Sequence, residues 1–315
     1  MNYLIKNCND FDEWNGYLKE SKQYNIFSSH VIKSDFDLYD AYLLFRKEVF
    51  LIGCIIQKHN SNKPKYIYQN FFYSNYFDNL NSSKSVKLKI ESTEVILNKL
   101  YEEYDKIEIS LHHTITDIRP FQWFNFNDNN KSNFKIKINY TGLSDLNSQK
   151  NFNDYLSNIR ASRRQDYKKA KDNNFQTFEE FNTNNINSLL AQTFERQNIL
   201  KNSLKQINAS KHIIKDSIKN KYGRLLISYS EDNKPASGSL FLFDKNCAYY
   251  YVGATNPTYR CFGVGTQVII DQMKYFFQKN IKNFDFIGIN SPNRGDFKTS
   301  FNAVPTVYFD LFLKK

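Results

Sequence analysis

From Ala248 to Thr266 the chain reads Ala-Tyr-Tyr-Tyr-Val-Gly-Ala-Thr-Asn-Pro-Thr-Tyr-Arg-Cys-Phe-Gly-Val-Gly-Thr, and this stretch restricts the fold more than any other. It is an aromatic strand, a loop interrupted by Pro257, and a glycine turn that opens a helix. The helix is predicted over Thr266–Phe277, where Val268, Ile269, Met273, Phe276 and Phe277 recur at helical spacing. Gly263 and Gly265 permit a tight turn in which several backbone N–H groups point the same way. At the start of a helix those donors, aided by the dipole, form a seat for phosphate. Arg260 stands where its guanidinium could clamp the same anion. A Walker loop is excluded, because no Gly-Lys-Ser/Thr follows. A dinucleotide fingerprint is excluded too, because Val268 holds the place of its third glycine. Without an anion, the same residues read as an ordinary turn between strand and helix.

The surviving pattern, Arg260-x-x-Gly263-x-Gly265, resembles the pyrophosphate loop of the GNAT superfamily of N-acyltransferases, which joins a bulged strand to a helix and cradles coenzyme A. Downstream, Asp285-Phe286-Ile287-Gly288 is followed by Phe297-Lys298-x-x-Phe301 and a final strand over Thr306–Leu313. That order resembles one branch of the superfamily, the Fem-type, methicillin-resistance-like acyltransferases. The resemblance covers the C-terminal half and, more loosely, the N-terminal half. It implies an α/β protein with mixed sheets built as two tandem GNAT-like domains. No Gly-x-Gly occurs before residue 200, so the first copy is expected to be degenerate and the second to carry the intact acyl-donor loop. The polar stretch Thr141–Asn153 marks the expected boundary, dividing 1–145 from 146–315.

The same resemblance implies roles for individual residues. Val252 and Gly253, on the strand expected to bulge, would present N–H groups to the donor carbonyl. Arg260, Phe262, Gly263, Val264, Gly265 and Thr266 would hold the pyrophosphate of acyl-CoA, with acetyl-CoA as the expected co-substrate. Lys298, in the Phe-Lys position, would act near the transferred acyl group, or else is a surface lysine of the Asp296–Lys298 turn. Tyr250 or Tyr259 would protonate a departing thiolate, or else belongs to the core. Asp285 is a candidate general base, although it alternates with Phe284 and Phe286 and is equally suited to bonding backbone or an arginine; Asp117 and Glu195 are rivals.

On the acceptor side, Arg119-Pro-Phe-Gln-Trp123 looks like a segment of surface-polysaccharide acyltransferases. Asp117, Arg119 and Trp123 would then line an acceptor cleft, or Phe121 and Trp123 simply pin a loop into the core. Arg163 and Arg164 lie on a basic helix that occupies the place of an arginine-rich helix in Fem-type relatives; a solvated charged face is the alternative. Glu195 sits on a helix where acceptor contacts are common in such proteins. His112 and His113 are adjacent in a strand and face opposite ways, with no companion ligands, so no metal is expected.

Elsewhere the pattern predicts an amphipathic helix around Phe11, Trp14, Tyr17 and Leu18, a helix or strand near Tyr39–Phe45, and a buried strand over Glu48–Gln57. A strand–loop pattern continues through Lys63–Phe72 and Val86–Ile90, followed by a helix over Thr93–Tyr104 and a strand over Lys106–Leu111. Helices are predicted over Tyr155–Asp172, Ile186–Lys201 and Ser210–Lys221. Strands are predicted over Phe134–Tyr140, Arg224–Ser230 and Ala236–Phe243, the last two joined at Glu231–Pro235.

A formal net charge of +11 is a solvated surface if spread evenly, and a preference for phosphate-bearing partners if gathered at a cleft. The four cysteines show no Cys-x-x-Cys spacing and read as buried thiols. No apolar run reaches the roughly 18 residues of a membrane span and no signal peptide is apparent, so a soluble cytoplasmic protein is expected. The leading expectation is an N-acyltransferase that uses acyl-CoA on a small-molecule amine, an amino sugar carried on a nucleotide, in surface-polysaccharide synthesis. A Fem-like transferase that takes aminoacyl groups from tRNA to a wall precursor is the alternative, and a non-catalytic basic binding module is a third.

Overall fold

The computed structural model describes residues 2–58, 65–147, 149–196 and 211–315. The chain forms two units, Met1–Asn139 with Val307–Lys315, and Tyr140–Thr306. It passes between them inside two strands, so the crossing falls at 139/140, within a strand, rather than in the polar stretch at 145/146, and the C-terminal strand returns to the first unit.

The first unit begins with β1 (Tyr3–Cys8) and α1 (Phe11–Lys19). Asp10 caps α1 by accepting the Asp12 N–H at 2.9 Å, and the helix buries Trp14 and Leu18. The short α2 (His30–Lys33) leads to β2 (Tyr39–Arg46), β3 (Val49–Gln57) and β4 (Phe71–Tyr73), which pair antiparallel in the order β1-β2-β3-β4. Leu51–Ile56 are buried throughout, as expected of a strand covered on both faces. Then come α3 (Ser82–Glu103), β5 (Lys106–Ser110), α4 (Arg119–Gln122) and β6 (Lys135–Asp145). Phe71 makes a parallel bridge to Leu111, and the C-terminal strand pairs antiparallel with β5 from Asp310↔Ser110 to Lys314↔Lys106.

Two readings of this unit are corrected. Val86–Ile90 belongs to α3: the alternation of Val86, Leu88 and Ile90 mimics a strand, but Leu88, Ile96, Leu97 and Leu100 continue it as one buried helical stripe. Of the predicted strand Lys63–Phe72 only the end is β-structure, and residues 63–64 lie outside the described residues.

The second unit opens with α5 (Phe152–Asn158) and α6 (Ala161–Asp172), two helices where one was predicted, because Ile159 is extended and breaks the run. They are followed by β7 (Gln176–Glu180), α7 (Asn184–Arg196), α8 (211–219), β8 (Gly223–Tyr229), β9 (Pro235–Phe243) and β10 (Cys247–Thr255). Residues 197–201 of the predicted Ile186–Lys201 helix, and Ser210 of the next, lie outside the described residues. A 3-10 turn (Pro257–Phe262) leads into α9 (Val264–Gln278), then β11 (Asn283–Asp285), α10 (Pro292–Thr299) and β12 (Val304–Lys314). Strands β7 to β10 pair antiparallel in sequence order; β11 adds parallel to β10, and the end of β6 pairs antiparallel with β11. The apolar stripe of α9 (Ile269, Ile270, Met273, Phe276) packs with Phe241, Phe284, Phe286 and Phe301 to form the core beneath the site.

Candidate active site

Strands β10 and β11 stay in register only from Cys247↔Asn283 to Tyr249↔Asp285. At the next step β10 bulges: Tyr250 faces Phe241, Val252 faces Leu240, and Tyr251 is the extra residue. The bulge and the end of pairing open the sheet along Tyr250–Thr255. A cavity of about 910 Å³ lies there, lined by these residues and by Arg163, Asp166, Leu190, Thr193, Phe194, Arg260, Gly263, Gly265, Thr266, Arg294, Phe297 and Lys298.

Lys298 enters from α10. Its Nζ donates to the carbonyls of Ile287 (2.5 Å) and Gly288 (3.1 Å), and lies 5.5 Å from the centre of the Tyr250 ring. Both carbonyls come from residues in the left-handed region, Ile287 at φ 42° and Gly288 at φ 59°. For β-branched Ile287 that conformation is strained, and here it turns two oxygens toward one ammonium. Burial lowers the Lys298 pKa to about 8; Asp285 opposes the shift and Arg294 adds to it. An ammonium has three donors, so two on carbonyls leave one with no partner among the described residues.

Tyr250 folds back over its own strand, its hydroxyl covering Gly253, and burial raises its pKa to about 12. Asp285 does not line the cavity. It is 1% exposed, and its Oδ1 accepts from the Thr141 hydroxyl and from the Ile287 N–H at 2.8 Å. Of the two roles expected of Asp285, general base or partner of the backbone, the geometry matches the second, and the side chain is tied beneath the wall. It fixes the Ile287 turn and acts on Lys298 through its field.

At the other end of the cavity the glycine turn has the expected form. Gly263 has φ +76° and begins α9, while Gly265 and Thr266 face the cavity. A side chain at Gly263 would meet the Asp166 backbone at 2.4 Å, because α6 packs on the start of α9. Asp166 also brings its carboxylate to this helix start. Its Oδ2 accepts from Thr266 Oγ1 at 3.1 Å and pairs with Arg163 at 3.0 Å. Arg163 donates as well to Thr266 Oγ1 (3.2 Å) and lies over the Phe297 ring at 5.0 Å, while its buried Nε–H has no partner among the described residues.

Of the sequence candidates, Tyr250, Val252, Gly253, Arg260, Gly263, Gly265, Thr266, Arg163 and Lys298 share this one wall. Phe262 and Val264 do not line it; Val264 is wholly buried with Ala170, Phe175 and Ala236, and Phe262 packs on that cluster at the Phe175 ring. Arg164 turns the other way and donates to the carbonyls of Ser157 (2.8 Å) and Ile159, closing the end of α5. Glu195 is exposed and off the wall, whereas Leu190, Thr193 and Phe194 of the same helix are on it. Asp117, Arg119 and Trp123 belong to the first unit. There Arg119 forks onto Asp117 (2.8 and 2.6 Å) and lies over the Trp123 ring at 5.5 Å, and Trp123 is 51% exposed. Sequence reasoning missed Asp166 and Arg294. Asp166 was hidden in a basic run, three residues after Arg163; Arg294 stands one helical turn before Lys298, a spacing that could have revealed it.

The model of the FemAB family matches residues 135–308. The chain belongs to the FemAB family. No curated protein matches it. Among solved structures, FemX is similar with a TM-score of 0.67 at 12% identity, over 98% of this chain and 97% of that one. A conserved protein of unknown function from Bacteroides thetaiotaomicron is similar with a TM-score of 0.59 at 8% identity, over 99% and 100%. A tandem GNAT protein from the clavulanic acid biosynthesis pathway gives 0.51 at 7% identity, over 100% and 98%. The FemAB chain is thus two GNAT-like domains, and the cavity described above lies in the second. No described helix is long and apolar enough to cross a membrane.

Proposed function

We propose that this FemAB-family chain transfers an acyl group from an activated ester to a primary amine, with aminoacyl-tRNA as donor and a cell-envelope precursor as acceptor. The carrying observation is the delivery of the part-buried Lys298 ammonium to the opening between β10 and β11, beside Tyr250 and Gly253. In the proposed step the amine nitrogen attacks the donor carbonyl carbon. The C–N bond forms, the ester C–O bond breaks, and the proton lost by the amine leaves with the ribose hydroxyl. Negative charge on the carbonyl oxygen is met by the free Lys298 donor and by backbone N–H groups of the bulged strand. Arg260 and Arg294 come from two different elements, which suits phosphates spaced along a single-stranded RNA end.

A second reading, acyl-CoA as donor and a nucleotide-linked amino sugar as acceptor, is favoured by the Gly263–Gly265 turn and by Arg260 in the wall. Incubation of the protein with radiolabelled aminoacyl-tRNA or acetyl-CoA and an amine panel separates the two. Amide product from the tRNA donor supports the first reading, product from acetyl-CoA alone replaces it with the second, and product from neither sinks both.

A further inference from the structure

We infer that Asp166 is a specificity-determining residue that holds the anion seat at the start of α9 against pyrophosphate-bearing donors. This rests on the reading of the cavity as the acyl-donor site. The seat has the parts that a pyrophosphate requires: a left-handed Gly263, a second glycine facing the cavity, and a helix start. The chain fills it from within. The Asp166 carboxylate lies on Thr266, in the first turn of α9, and engages Arg163, which itself donates to Thr266. Its backbone occupies the space that a side chain at Gly263 would need, so the carboxylate is held there by the packing of α6 on α9 and does not hang on a free loop.

A pyrophosphate at this turn would set further negative charge beside a partly buried carboxylate while Arg163 is already neutralised by it. Like charges a few ångströms apart in such surroundings repel strongly. A donor whose phosphates lie elsewhere along the wall, near Arg260 or Arg294, meets no such penalty. The buried Arg163 Nε–H, unpaired among the described residues, remains for an uncharged or singly charged ligand group. The turn is therefore built like a coenzyme A loop and electrostatically closed to coenzyme A.

Calorimetric titration of the whole chain and of Asp166→Asn tests this with three probes: acetyl-CoA, S-acetylpantetheine, which lacks the pyrophosphate, and a CCA trinucleotide carrying an amide-linked alanine. Asparagine keeps the shape and the bond to Thr266 and removes the charge. The expected result is a gain of about tenfold or more for acetyl-CoA, no gain for S-acetylpantetheine, and less than about threefold change for the CCA probe. Asp172→Asn, with the same net-charge change at the exposed end of α6, is expected to leave all three unchanged. Wild-type binding of acetyl-CoA as tight as that of Asp166→Asn overturns the inference. If the CCA probe binds both proteins and acetyl-CoA gains nothing, the inference fails and the donor-site reading stands. If no probe binds either protein, with circular dichroism showing both folded, the donor-site reading fails and takes the inference with it.

Discussion

The hydroxyl of Tyr250 lies where a side chain at Gly253 would begin: a Cβ built on Gly253 would stand 1.7 Å from it. The two residues flank the bulge in β10, so the glycine is what lets the phenol lie across the opened strand. Gly253→Ala is expected to push the Tyr250 ring out of the cavity and lower kcat by about tenfold or more, in line with the cost of misplacing a site by an ångström. Because the two share one space, the double variant Gly253→Ala/Tyr250→Ala should lose no more than the worse single one. Additive losses in a double-mutant cycle would show that they act independently.

Lys298 sets the pH dependence. Its pKa is lowered to about 8 by burial, so it is a cation below that pH and neutral above it. Stabilisation of the oxyanion needs the cation, so kcat is expected to fall as pH rises through about 8. Lys298→Met should lower kcat by roughly 100- to 1000-fold with little change in KM. Lys298→Arg, a weak enzyme for steric reasons, should lose the descending limb, since a guanidinium stays charged across that range. A rate that climbs through pH 8 in wild type and not in Lys298→Met would identify the lysine as a base instead.

The two glycines of the turn should respond differently. Gly263 combines φ +76° with the Asp166 backbone at 2.4 Å from a built Cβ, so Gly263→Ala is expected to destabilise the second unit by about 2 kcal/mol or more. At Gly265 the nearest obstacle is the Thr255 hydroxyl at 2.9 Å, which can rotate away, so Gly265→Ala should stay within about 1 kcal/mol of wild type. Denaturant unfolding measures both, and equal losses would contradict the packing described.

Adjacent arginines likewise part company. Arg164→Ala removes two bonds to the end of α5 and is expected to cost about 1 kcal/mol of stability with donor affinity unchanged. Arg163→Ala strips a guanidinium from the cavity wall and should weaken binding of a donor. Thermal unfolding together with titration of the CCA probe distinguishes the two effects.

In the first unit, Trp123 is half exposed and its indole is held by the Arg119 guanidinium, which is itself fixed by Asp117. Trp123→Ala should therefore leave stability within about 0.5 kcal/mol of wild type. If the cluster binds the acceptor, the variant raises the acceptor KM and leaves the donor KM alone.

What the sequence determined by itself was local. Glycines at 263 and 265 after an aromatic strand compel a turn and a helix start, and the apolar stripe from Val268 to Phe276 compels the side on which α9 packs. Order along the chain, through its resemblance to the GNAT superfamily, indicated tandem GNAT-like domains, and the motifs supplied nine of the residues on the wall. Tertiary structure decided whatever depends on the direction of a side chain at the end of a helix. Arg163 and Arg164 are neighbours in one basic run, yet the helical rotation between them sends one to the cavity and the other to the end of α5. Asp285 stood in the sequence as a base or as a partner of the backbone, and the fold laid Thr141 and the Ile287 N–H against it. Asp166 drew no notice among lysines and arginines. Its position on the glycine turn arises from the packing of α6 on α9, a contact between segments a hundred residues apart that no local pattern encodes.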